Sequence, residues 1–168
     1  MQVDQTEMKV ALDFNLSPKL AAALTALYGQ SGFEFVHLKD VVASATPDVL
    51  WATTWRNAGG RFVVSGDISI ARKPHEAAAF IDSGLISIFP DKGWGNLRTH
   101  QQAALLVYHW PGIAEQLGGI IVGSCWKLPV DIRGQGLRLR PAPLIPLQVP
   151  GEVLDRHRQT ARTISASA

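Results

Sequence analysis

A single cysteine, Cys125, occurs in the 168 residues. That excludes an intramolecular disulfide and argues against a cysteine-based zinc site. No apolar run approaches the length of a membrane span. The opening residues, MQVDQTE, are polar and lack the apolar stretch of a secretory signal. The expectation is a cytoplasmic protein with no membrane association. The five histidines, His37, His75, His100, His109 and His157, have no metal-ligand spacing. No internal repeat is visible. Gly118-Gly119 and Gly134-Gln135-Gly136 lack the strand-to-helix setting of a nucleotide loop and read as turns.

The chain is long enough for one well-packed domain, and its apolar fraction of 46% is ordinary for a globular protein. The net charge of +2 hides an asymmetry. Residues 1–91 carry seven Lys/Arg against ten Asp/Glu, whereas residues 92–168 carry nine against four. An acidic centre beside a basic flank suits a metal-dependent enzyme acting on a polyanion.

Strand and helix patterns alternate along the first two thirds. Met8 to Phe14 is β-compatible and apolar. Ser17 and Pro18 predict a helix start, and Leu20, Leu24 and Leu27 carry the helix to Gly29. Phe33 to Leu38 reads as the second strand. Thr46-Pro47-Asp48 predicts the next helix, with Thr46 as its cap, and Trp51 and Trp55 read as core. Arg61 to Ser65 is the third strand, Glu76 to Asp82 a helix, and Leu85 to Phe89 the fourth strand. A further helix from Asn96 to Leu117 is to be broken or kinked at Pro111-Gly112. The order implies an α/β three-layer sandwich: a central, mostly parallel sheet of four or five strands flanked by helices. Gly123 to Val130 and Leu137 to Arg140 predict a C-terminal β-hairpin around Arg133–Gly136. Pro141 to Pro150 is proline-rich and extended, and residues 151–168 end in a flexible Ser/Ala tail.

In such a sheet the carboxyl ends of the strands share one edge, where open α/β sheets bind ligands. Asp13 follows the first strand, Asp67 the third, and Asp48 opens the second helix. If the first and third strands are neighbours, Asp13 and Asp67 approach closely, and a cation relieves their repulsion. Oxygen ligands with no thiolate or imidazole suit Mg²⁺ or Mn²⁺. Each acid also has a plainer reading: Asp48 as a helix first-turn acid, Asp13 and Asp67 as turn-formers. Arg72 and Lys73 follow Asp67 closely and are candidates for phosphate contacts, or simply a solvated loop. Trp94 offers a base-stacking platform or, more simply, packs onto the core.

Leu12-Asp13-Phe14-Asn15-Leu16-Ser17-Pro18, Val36-His37-Leu38-Lys39-Asp40, Thr46-Pro47-Asp48 and Val63-Val64-Ser65-Gly66-Asp67 resemble the successive motifs of the PIN-like domain superfamily. The resemblance runs from about Lys9 to Phe89 and is closest to a compact branch, near the VapC-type toxin ribonucleases. It implies a Mg²⁺/Mn²⁺-dependent ribonuclease, with RNA as substrate and an antitoxin protein as partner; homodimers are common in the superfamily. It implies that Asp13, Asp48 and Asp67 are the catalytic, metal-binding acids, with Ser65 and Asn15 supporting them. Residues 8–122 are then the nuclease domain, and 123–150 the appended hairpin and extended segment. The usual fourth acid is absent, because Ile68, Ser69, Ile70 and Ala71 occupy its stretch. Asp91 and Asp40 are the candidates to replace it. The gap makes a non-catalytic binding module the main alternative. A phosphatase or receiver-like domain, with Asp13 as phosphate acceptor and Lys92 as its partner, is the third.

Overall fold

The computed structural model describes residues 8–130, 144–148 and 151. Ten regular elements follow in the order β1 (Met8–Leu12), α1 (Pro18–Tyr28), β2 (Phe33–His37), α2 (Asp48–Asn57), β3 (Gly60–Val64), α3 (Pro74–Asp82), β4 (Ile86–Pro90), α4 (Thr99–Leu117), β5 (Cys125–Leu128) and β6 (Ile145–Pro146). They build one six-stranded sheet in the order β2-β1-β3-β4-β5-β6. Its first five strands are parallel, and β6 runs antiparallel to β5.

Strand alternation divides the core into two layers. Val10, Leu12, Phe62, Val64, Ile86 and Ile88 face α1 and α4, together with Leu20, Leu24, Leu106 and Trp110. The intervening residues Ala11, Val63 and Phe89 face α2 and α3, with Trp51, Trp55 and Phe80. Because successive strand side chains point to opposite faces, both layers must be apolar, and these strands read as continuous hydrophobic runs. Trp110 packs edge-on against Phe33 and Phe35, with ring centroids 5.3 and 4.8 Å away. Trp51 meets Phe80 the same way at 4.9 Å. Each such pair adds about 0.5–1.5 kcal/mol to simple area burial. Trp94 is also buried in the core, as its plainer reading expects.

The helix ends follow local chemistry. Ser17 caps α1 by accepting from the Lys19 N–H, and Pro18 sits in the first turn. Thr46 does not cap α2, contrary to expectation. Pro47 takes the cap position, with no side-chain hydrogen bond. Pro111 does not divide α4, which runs unbroken through it. A proline there still leaves the carbonyl four residues earlier, that of Val107, without its helical donor. The Tyr28 hydroxyl donates to that carbonyl at 2.8 Å, joining α1 to α4.

The helices α1 and α4 share one face although β1→β2 and β4→β5 step in opposite directions along the sheet. These two crossovers therefore have opposite hands, and one is of the rare left-handed kind. The strand joined to β5 is Ile145–Pro146, from the extended proline-rich segment. The predicted partner Leu137–Arg140, its turn at Arg133–Gly136, and the tail from residue 152 lie outside the described residues. The antiparallel β5–β6 pair is joined to the main sheet, because β5 also lies parallel to β4. No helix among the described residues is long and apolar enough to cross a membrane.

Candidate active site

The chain leaves β1 for β2 on one side and later places β3 on the other, so strand order reverses at β1/β3. The crevice at such a reversal is where open α/β sheets take ligands. Asp13 stands at the carboxyl end of β1, and its N–H still donates to the Val64 carbonyl at 3.0 Å. Ser65 lies beside it at the end of β3, its own N–H donating to Ile88. The expectation that β1 and β3 are neighbours holds.

Asp13 is only 4% exposed. Its Oδ2 accepts from the Ser65 hydroxyl at 2.6 Å and from the Asn15 amide at 3.1 Å. Its Oδ1 accepts from the Phe14 N–H at 2.6 Å. The Ser65 oxygen in turn accepts from the Asn15 amide and from the Asp67 N–H, both at 3.2 Å. One donor and two acceptor sites are thereby all in use. Asn15 Oδ1 accepts from the Gly66 N–H at 2.8 Å, closing a loop between the two strand ends. A side chain at Gly66 would be crowded: a Cβ would stand 3.0–3.2 Å from Trp94 Nε1, Leu16 Cδ2 and Asn15 Oδ1.

Asp67 is exposed, and its Oδ1 accepts from the Ser69 N–H at 2.9 Å, an Asx-type turn. The half-buried Asp48 accepts from the indole N–H of the fully buried Trp51 at 2.8 Å. Asp48 thus combines its site position with a structural duty that the sequence reading did not assign. The signal was its spacing of three from Trp51 on a helix, which puts the two on one face.

Burial raises the Asp13 carboxyl above the ordinary aspartate range. The hydrogen bonds from Ser65 and Phe14 oppose that rise, and the negative charges of Asp48 and Asp67 add to it. Asp48 and Asp67 therefore both lie within electrostatic reach of Asp13. None of the three makes an ion pair among the described residues. A donor set of carboxylates alone suits a hard divalent cation. Yet among the described residues no three acidic, histidine or cysteine side chains stand together as a ready metal cage. The expected close convergence of all three acids on one ion is not preformed. An ion held here would complete its shell with water, which Mg²⁺ readily keeps.

Neither candidate for the additional acid is among the charges that act on Asp13. Asp91 pairs with Lys127 across β4 and β5 at 3.3 Å and accepts from the Lys92 N–H. Asp40 lies exposed in the 3₁₀ turn after β2. The stretch expected to carry the fourth acid instead buries Ile70 and Ala71 in the core. Arg72 and Lys73 are exposed on the rim. Lys73 pairs with Glu76 at 3.1 Å. The Glu76 hydrogen bond and charge, with smaller contributions from Asp67 and Asp48, hold its ammonium group above the usual lysine range. Lys92 makes no ion pair with Asp13, so the phosphate-acceptor arrangement gains no support.

A family model described as a PIN like domain matches residues 8–92, half of the chain. No curated protein and no solved structure matches it. The matched segment runs from the first residue of β1 to just beyond β4 and contains Asp13, Asp48, Ser65 and Asp67. In fold, in the acids at the sheet's carboxyl edge and in sequence, this chain belongs to the PIN-like domain family.

Proposed function

We propose that the protein is a metal-dependent endoribonuclease, the toxin of a toxin–antitoxin pair, hydrolysing RNA phosphodiesters. PIN-like domains are generally nucleases, which supports the broad class. One observation carries the finer reading. A buried carboxylate at the sheet's switch point is fixed by three donors, lies in the field of two further acids, and has no described cation paired with it. Such an arrangement is costly in a metal-free protein and useful in a metal-loaded one.

Asp13, Asp48 and Asp67 would hold Mg²⁺ or Mn²⁺. The ion supplies a more acidic water and offsets charge developing on the phosphodiester. The chain's own residues do the rest. Ser65, Asn15 and the Phe14 N–H fix the Asp13 carboxylate in one orientation. Trp51 fixes Asp48, and the Ser69 N–H fixes Asp67. Arg72 and Lys73 contact RNA phosphates on the rim, giving affinity without sequence preference.

RNA cleavage with Mg²⁺ tests this. Asp13→Asn and Asp67→Asn should each lower kcat/KM by at least a hundredfold; wild-type rates in either variant would end the proposal. A neighbouring gene for a small antitoxin would support the toxin role. The size of the intact protein in solution tests whether two copies pair.

The buried Ile70 and Ala71, together with the absence of a ready cage, favour a second reading: a PIN-like module that binds RNA or protein with weak catalysis. Calorimetry separates the two. Mg²⁺ or Mn²⁺ binding that disappears in Asp13→Asn counts against the module.

A further inference from the structure

Glu76 sits in the first turn of α3, where an acid meets the helix dipole favourably and needs no other role. Its environment asks for more. Its side chain is only 14% exposed. One carboxylate oxygen, Oε1, receives the Lys73 ammonium at 3.1 Å and has the His75 ring at 3.7 Å. The other, Oε2, is buried with no hydrogen-bond partner among the described residues. A surface ion pair contributes little stability, and a buried carboxylate oxygen without a donor subtracts from it. As a stabilising device the pair is poorly built.

Its value lies in where it holds Lys73. That residue precedes Pro74, which restricts its backbone to the extended region, and it is found there. The ammonium remains half exposed and lies within the field of Asp67 and Asp48. A long lysine chain is otherwise free to swing, and a held one loses less entropy on binding. With Arg72 and His75 it forms an exposed basic run that follows the exposed Asp67 closely in sequence.

We infer that Glu76 is a positioning residue, which holds the Lys73 ammonium at the edge of the acidic centre so that it receives a phosphate adjoining the bond to be cut. This deepens the nuclease reading and rests on it for the identity of the substrate. Glu76 itself acts only through Lys73.

The test uses the intact chain and a fluorescent single-stranded RNA, with binding measured across a salt series without divalent ion and cleavage measured with Mg²⁺. Lys73→Ala should weaken binding about tenfold and reduce the slope of log affinity against log salt by about one phosphate contact. Lys73→Arg should restore most of both. Glu76→Gln, which keeps shape and loses charge, should raise KM several-fold with little change in kcat. Adding it to Lys73→Ala should cost nothing more. Arg61→Ala, at the opposite end of β3, serves as the distant control. Additive losses in the double variant, or an unchanged salt slope in Lys73→Ala, would overturn the inference. A wild-type protein that binds RNA but never cleaves it would sink the nuclease reading alone, because the binding arm needs no catalysis.

Discussion

The Ser65 hydroxyl donates to Asp13 Oδ2 at 2.6 Å although 52 positions separate the two residues. The bond exists because β1 and β3 are adjacent and end level with each other, so a strand register sets the orientation of the Asp13 carboxylate. Ser65→Ala should remove it, along with the acceptor for the Asp67 N–H. The expected result is a ten- to a hundredfold fall in kcat/KM, the usual effect of losing an outer-shell partner. Urea unfolding should show a stability loss of only about 1–2 kcal/mol. An unchanged rate would detach this hydrogen bond from function.

Asp13 also makes stability depend on pH with a defined sign. Its folded-state carboxyl titrates above the ordinary value of 3.8, because burial, and then the charges of Asp48 and Asp67, oppose ionisation more than the hydrogen bonds favour it. Proton binding therefore favours the folded form. Its stabilising share is fully present below the unfolded value and is lost as pH rises through the raised one. Asp13→Asn should accordingly be more stable than wild type at pH 7 without divalent ion, by about 0.5–2 kcal/mol. The gap should close toward pH 3. Paired urea titrations of the two proteins across this range decide it.

Divalent ion should reverse that order. At a hundred times its dissociation constant, Mg²⁺ or Mn²⁺ stabilises a protein that binds it only when folded by about 2.7 kcal/mol. Thermal unfolding of wild type should shift upward by several degrees, and Asp13→Asn should shift little. Equal shifts in both would place the ion elsewhere.

The two duties of Asp48 separate by substitution. Asp48→Asn keeps a carbonyl oxygen for the Trp51 indole and removes the charge, so it should lower metal affinity at nearly wild-type stability. Asp48→Ala leaves the buried indole N–H without its 2.8 Å acceptor. It should cost about 1–3 kcal/mol besides. Similar melting temperatures for both variants would deny Asp48 its structural part.

Tyr28 and Pro111 should be coupled. Tyr28→Phe leaves the Val107 carbonyl without a donor, at a cost of about 1–2 kcal/mol. Pro111→Ala gives that carbonyl back a backbone N–H, so the tyrosine's loss should matter less in the double variant. A double-mutant cycle in urea measures the coupling, and strict additivity would contradict it.

The first four strands and three helices could be read from the sequence because each is bracketed locally. Ser17-Pro18 opens α1, Gly32 at φ 82° turns into β2, and Gly59 at φ 85° turns into β3. The meeting of Asp13 with Ser65 was legible only conditionally, since strand neighbours depend on contacts distant in sequence. Thr46 looked like a cap because residue type suggests one, whereas the chain places Pro47 there. The Lys127 ammonium beside Asp91 follows from the β4–β5 register, which no local spacing announces. The partner of β5 had no alternation to announce it, being two residues long and ending in proline. How closely three acids approach a common point is fixed by rotamers and loop paths, and no spacing rule encodes it.

Cys125 lies buried on β5, its thiol pushed up to about 12 by desolvation. Since only the thiolate reacts, alkylating reagents and peroxide should leave this thiol untouched in the folded protein. Modification then waits on the rare excursions that peel β5 from the sheet. The chain's lone thiol is thus a built-in timer for that opening.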